Sequence, residues 1–215
     1  MKKKRIIRFC IALCFILLFT VWTLLVCVID VQPIGPLGSS VGFASLNGAV
    51  HRFIGVNTVL YTVTDWLGLV PIATALCFAV IGAAQLFRRK SLLRVDRSLL
   101  ALGAFYIAVI ALFLLFEAAE INYRPVLIEG RLEASYPSST TLFVMCVMPT
   151  ALMQASERIR RTALRRSVIA LTVAFICFTV VGRILSGVHW ITDIIGGAIL
   201  SAGTVTAYFA FEVSE

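Results

Sequence analysis

Residues 182–193 read Gly-Arg-Ile-Leu-Ser-Gly-Val-His-Trp-Ile-Thr-Asp and place Arg183, His189 and Asp193 between two long apolar runs. His189 is one of only two histidines in the chain, the other being His51. A helix beginning near His189 would carry it and Asp193 on one face, because they are spaced i and i+4. An imidazole oriented by a carboxylate and flanked by a guanidinium can attack a phosphorus atom. Charged groups at a membrane boundary are costly, so their presence asks for a functional reason. Taken alone, a histidine capping a helix beside an incidental ion pair accounts for the stretch equally well.

The elements that must position these residues are apolar. The chain is 60% hydrophobic and 14% charged, with a mean hydropathy of +0.98. Soluble domains run nearer ~45–50% apolar and ~25% charged, which excludes a soluble globular chain. Six apolar stretches reach membrane-spanning length, at about 6–29, 60–87, 99–116, 138–155, 168–185 and 191–211. The first is too long for a signal peptide and precedes no small-residue cleavage site, so it reads as a retained anchor.

Basic residues set the expected orientation. Lys2, Lys3, Lys4, Arg5 and Arg8 precede the first span. Arg88, Arg89, Lys90, Arg94 and Arg97 fill the second-to-third connection, and Arg158, Arg160, Arg161, Arg165 and Arg166 the fourth-to-fifth. With six spans these fall on one side, which the positive-inside rule makes cytoplasmic together with both termini. Short topogenic loops explain the net charge of +8 without nucleic acid; anionic lipid headgroups are the expected neighbours. Arg52, Arg124, Arg131 and Arg183 remain for the outer side.

The outer segments are expected at about 30–57, 117–137 and 183–190. The first is rich in Gly, Pro and Ser, then turns amphipathic around His51 and Arg52, as an interfacial stretch would. The second holds Glu117, Glu120, Arg124, Glu129, Arg131 and Glu133, and ends in Pro137-Ser138-Ser139-Thr140-Thr141. Proline followed by hydroxyl residues signals a helix start with Ser138 as its cap, and such an N-terminus can also receive a phosphate. Two guanidiniums and backbone donors on one face suit a phosphoryl oxyanion.

Other residues read as structural. The six cysteines lie in apolar spans without metal or disulfide spacing and read as small buried hydrophobes. Trp22, Trp66 and Trp190 stand near span ends, as interfacial anchors do. Asp65 reads as a cap or a bundle hydrogen bond. No metal or cofactor motif is present.

At this point the chain resembles the type 2 phosphatidic acid phosphatases, membrane relatives of the vanadium haloperoxidases. That family carries Lys-x6-Arg-Pro, Pro-Ser-Gly-His and Ser-Arg-x5-His-x3-Asp. Arg124-Pro125 matches the end of the first signature, Pro137-Ser138 the start of the second, and Arg183, His189 and Asp193 nearly all of the third. The resemblance implies an all-α, six-helix membrane bundle forming one domain over 1–215, acting as a phosphohydrolase without a metal or other cofactor. His189 would be the nucleophile that forms a phosphohistidine, and Asp193 would orient it. Arg124, Arg183, Ser138, Ser139 and Thr140 would bind phosphate.

The departures are specific. Glu117 stands where the family has lysine, Ser139 and Thr140 where it has glycine and histidine, and Gly182 where it has serine. In the family that histidine protonates the leaving oxygen, and threonine is too weak an acid for the task. The phosphate that leaves when a diphosphate lipid is attacked is less basic than an alkoxide, so the expected substrate is a lipid phosphate with a bias toward diphosphates such as polyprenyl diphosphate. His51, Glu120 and Glu133 are candidate substitute acids. The expected setting is a bacterial plasma membrane, with the site facing outside. The alternatives are a non-catalytic lipid-phosphate binder and a phosphotransferase using the same histidine.

Overall fold

A chain crossing lipid must satisfy its own backbone N–H and C=O groups, and long apolar runs do so as helices. The computed structural model describes residues 2–156 and 159–212; Arg158 of the third basic cluster lies outside the described residues. Among these, the helices are α1 (Lys2–Val28), α2 (Ala44–Ile54), α3 (Thr58–Leu67), α4 (Leu69–Arg89), α5 (Arg97–Ala119), α6 (Ser139–Ser156), α7 (Thr162–Leu185) and α8 (Ile191–Glu212). Six spans are long and apolar enough to cross a membrane, the second being α3 and α4 taken together. The chain is an all-α integral membrane bundle.

The second run is expected as one helix but is interrupted at Gly68. Pro71 has no N–H to return to the carbonyl one turn earlier, and its ring crowds that carbonyl. The Gly68 N–H instead closes α3 by donating to the Thr64 and Asp65 carbonyls at 3.1 and 2.9 Å. The last outer segments are also shorter than expected. α5 continues through Glu117 to Ala119, and α7 runs through Arg183 to Leu185, so both residues sit on helices.

α6 and α8 form the centre, with 50% of each apolar stretch buried against 6% for the α3–α4 run. One cluster joins Phe19 and Val26 of α1, Val109 of α5, Tyr136 from the loop before α6, Leu142 and Cys146 of α6, and Leu200 and Val205 of α8. Lipid is as apolar as leucine, so this association rests on close packing and on satisfied polar groups. Thr150 illustrates the second: its buried hydroxyl bonds the Cys146 carbonyl at 2.8 Å and meets the Tyr106 hydroxyl at 3.2 Å.

α1 and α8 run antiparallel. Arg8 donates to the Phe209 carbonyl at one end (3.4 Å), and Trp22 to the Thr192 carbonyl at the other (3.2 Å). Gln154, near the end of α6, meets Glu212 beside the Arg8 end. The basic N-terminus therefore lies opposite the residues around Asp193.

Two expectations are corrected here. Cys10, Cys14, Cys27, Cys77 and Cys177 are exposed on the bundle exterior, and only Cys146 among the six is buried. In a membrane bundle the bilayer, not the protein interior, receives such small apolar groups. Trp190 is not an interfacial anchor. Trp190 is 3% exposed and donates to the Tyr123 carbonyl at 2.7 Å, so its N–H holds two segments together; Trp66, at 69% exposure, fits the anchor description.

The segment between α1 and α2 turns back onto α1 at Gly42. A Cβ there would overlap the Val26 carbonyl oxygen, which is backbone and cannot step aside. Gly42→Ala is expected to cost about 1–3 kcal/mol as overpacking does, read as a lowered melting temperature of the purified protein in detergent.

Candidate active site

Ser186 closes α7 by donating its N–H to the Gly182 carbonyl at 2.8 Å, and α8 begins at Ile191. His189 lies on the tight link between them and is 5% exposed. Asp193 occupies the first turn of α8, where its Oδ2 accepts the Trp190 N–H at 3.0 Å. That contact is half of a capping box, so the residue that caps α8 is Asp193 and not His189. The same Oδ2 stands 3.7 Å from His189 Nδ1, at ion-pair distance.

The other ring nitrogen faces two arginines. Arg124 Nη1 is 3.3 Å and Arg183 Nη2 is 3.4 Å from His189 Nε2. Guanidinium N–H groups can only donate, so Nε2 carries the lone pair and Nδ1 the proton. The unprotonated nitrogen of a neutral imidazole thus faces the two cations, while the protonated Nδ1 lies on the Asp193 side without a hydrogen bond to it.

Each arginine is held from behind by a carboxylate. Arg124 pairs with Glu133 through Nε at 3.1 Å, and the backbone N–H of Arg124 donates to the Glu133 carbonyl at 3.0 Å. Arg183, whose side chain is 1% exposed, has Asp65 Oδ1 at 3.6 Å from Nη1 and the Tyr61 ring centroid 5.1 Å from its central carbon. Tyr61 and Asp65 are one turn apart on α3. This helix comes close because Gly182 has no side chain: a Cβ there would sit 2.6 Å from Thr64 Cγ2. The glycine that departs from the family's serine is the opening through which α3 reaches Arg183.

Burial and the two guanidiniums, Arg124 before Arg183, hold the His189 ring well below the usual imidazole range, with only the Ser135 backbone acting the other way. Because both cations touch one atom, they lie within about 7 Å of each other and repel by roughly 2–3 kcal/mol at an effective dielectric near 20. Arg183 Nε is buried without a hydrogen bond, and Arg183 Nη1 has only the Asp65 carboxylate at 3.6 Å. An anion with several acceptor oxygens, such as a phosphate, relieves both conditions.

Ser138 heads α6. Its N–H donates to the Asp193 carbonyl at 3.1 Å, and its hydroxyl accepts from the Thr141 hydroxyl at 3.1 Å, so this helix start abuts the His189–Asp193 pair. Ser139 and Thr140 form its first turn, the positive end of the helix dipole. Thr140 lies against the α3–α4 break, its methyl 3.5 Å from a Cβ placed on Gly68. Of the candidate acids, Glu133 touches Arg124. Glu120 accepts the Tyr123 hydroxyl at 2.7 Å, and His51 engages the Gly187 carbonyl through Nε2 at 3.1 Å. His51 also tilts against the Trp190 ring, 5.5 Å between centroids.

Sequence reasoning missed Asn122, Tyr61 and the Arg183 contact of Asp65. The Tyr61/Asp65 spacing was a readable i, i+4 signal, but nothing in the sequence told which helix it faces. Asn122, whose side chain donates to Asp193 Oδ1 at 3.2 Å, left no local signal.

Residues 116–214 match the family model of the PAP2 superfamily. The fold is similar to the crystal structure of the first transmembrane PAP2 type phosphatidylglycerolphosphate phosphatase from Bacillus subtilis. The TM-score is 0.63 at 20% identity, over 94% of this chain and 96% of that one. No curated protein matches the sequence. The family match covers residues 116–214, and the similarity of fold extends over nearly the whole chain.

Two outcomes test this geometry. The unfolded chain takes up a proton on this imidazole near pH ~6.5 while the folded site resists it, so the group withdraws stability as pH falls below that value. In histidine-selective NMR, the His189 ring should remain neutral through that pH; titration at the ordinary imidazole value would contradict the electrostatic reading. For the α3 contact, Gly182→Ser should lower the melting temperature, corresponding to about 1–3 kcal/mol, and Thr64→Ala should recover most of that loss in the double variant. Additive effects would show that the two residues do not meet.

Proposed function

We propose that the chain is a membrane lipid phosphatase working at the outer membrane face through a phosphohistidine on His189. The observation that carries the reading is the convergence of Arg124 and Arg183 on the unprotonated Nε2 of His189, with Asp193 behind the ring. The lone pair of Nε2 attacks phosphorus as the bond to the leaving oxygen breaks. Arg124, Arg183 and the α6 start at Ser138, Ser139 and Thr140 hold the phosphoryl oxygens. Asp193 offsets the positive charge that develops on the ring. Water then attacks the phosphohistidine, phosphate departs, and the neutral imidazole returns.

The bias toward diphosphates follows from Thr140. With no imidazole at that position to protonate the leaving oxygen, a leaving phosphate has the advantage over a leaving alkoxide. General acid catalysis contributes roughly 10²–10⁴-fold, and a better leaving group offsets that loss. The outward orientation follows from the basic N-terminus lying at the end of the bundle opposite Asp193, together with the positive-inside rule.

Phosphate release from the purified protein with a polyprenyl diphosphate and with a phosphatidylglycerolphosphate-type monoester tests both parts. Release from the diphosphate lipid should be faster, and faster release from the monoester overturns the bias. Acid-labile phosphate should be trapped on the wild-type protein and be absent from His189→Ala. Lipid-phosphate binding without turnover or trapped phosphate would instead establish the non-catalytic binder.

A further inference from the structure

We propose that Asn122 is a positioning residue for the His189 nucleophile, and that through it the segment between α1 and α2 takes part in holding the site. This rests on the reading of His189 as the nucleophile. Asn122 is 1% exposed, and its amide bridges two other outer segments. Gly42 N–H approaches the amide at 3.3 Å and can only donate, so the amide oxygen faces Gly42. The amide nitrogen is thereby committed to Asp193 Oδ1, 3.2 Å away. The reverse orientation would set N–H against N–H and oxygen against carboxylate, leaving buried groups unmatched at a cost of about 1–3 kcal/mol each.

With Oδ1 taken by Asn122 and Oδ2 by the Trp190 N–H, the Asp193 carboxylate is pinned at both oxygens. Oδ2 is the atom that faces His189 Nδ1. The rotation of Asp193, and so the anchorage of the ring, depends on Asn122 keeping its donor in place. Gly42 is itself fixed, since Asn47 Nδ2 donates to its carbonyl at 2.7 Å while Asn47 also bonds the Thr192 hydroxyl at 2.9 Å. On the other side, the Asn122 carbonyl accepts both the Ser135 N–H at 2.8 Å and the Ser135 hydroxyl at 3.2 Å. None of the three family signatures includes Asn122, Asn47 or Gly42.

Asn122→Asp separates positioning from scaffolding, because it keeps the shape and the acceptor for Gly42 and replaces the donor to Asp193 by a carboxylate oxygen. At pH 8 the two carboxylates repel and Asp193 loses its pin. The expected result on a diphosphate lipid is a kcat lower by about 10²-fold with KM changed by less than about threefold. As pH falls, the facing carboxyl pair takes up a shared proton, the donor is restored, and kcat should recover toward wild type, a rise the wild-type profile lacks. Asn122→Ala loses both bonds and should show the deficit without the recovery.

Wild-type turnover in Asn122→Asp at pH 8 overturns the proposal. So does a deficit that follows a lowered melting temperature and keeps the wild-type pH profile. If the wild-type protein itself releases no phosphate, the functional reading fails and positioning is read without turnover. Histidine-selective NMR, with His51→Gln identifying the other ring, should show the His189 Nδ1–H signal moved in Asn122→Asp at pH 8 and returning on acidification. An unmoved signal overturns the proposal.

Discussion

Two guanidinium groups meet at one imidazole nitrogen inside one end of a membrane bundle, and the surrounding structure is organised around making that arrangement tolerable. Like charges brought this close in a poorly solvated site need counter-charge and rigid support. Glu133 and Asp65 supply the counter-charge from two different segments, and Tyr61 covers the face of Arg183. The imidazole avoids adding a third positive charge by staying neutral, which burial and the two arginines enforce together. The same condition that makes the site costly also leaves Nε2 with a free lone pair. Cost and reactivity have one origin.

Support comes from polar groups satisfied across chain segments far apart in sequence. Asn47 joins Gly42 to Thr192, Asn122 joins Gly42 to Asp193, and Trp190 joins the α7–α8 link to Tyr123. Lipid offers no partner to an unmatched N–H or C=O, so each of these contacts is difficult to replace. The helices provide the frame, with α6 and α8 at the centre, and both begin at the site: Ser138 donates to Asp193 where the two helix starts meet. Packing below and hydrogen bonding above therefore fix the same two helices.

The spans were readable because hydropathy over 18 or more residues is a local property, and the basic loops gave an independent check on their number. His189, Asp193, Arg124 and Arg183 were readable because cationic and titratable residues are rare in apolar surroundings and their spacing matched a known signature. Asn122 was not. A lone asparagine in a polar loop looks like any other, and its importance comes from two partners 71 and 80 residues away. The break at Gly68 was also missed, although Pro71 two residues into α4 was the physical cue. The apolar run continued across it and hid the change of helix.

Two of the departures from the family signatures, Gly182 and Thr140, border the same helix, α3 and its end at Gly68. Gly182 admits Thr64, which lets α3 lay Tyr61 and Asp65 on Arg183; α3 then ends at Gly68, and Thr140 packs against that same break. A serine at 182 would push this face of α3 outward and separate Asp65 from the guanidinium. The substitutions at 182 and 140 thus belong to one remodelled wall, the α3 side of the pocket. On the opposite side, Glu133 and Arg124 pair within a segment tied by its own backbone. On the proposed mechanism, His189 with Asp193 and the two arginines forms the attacking half of the site, and the wall beside Thr140 receives the leaving group, so a change in that wall bears on the choice of leaving group more than on the attack on phosphorus.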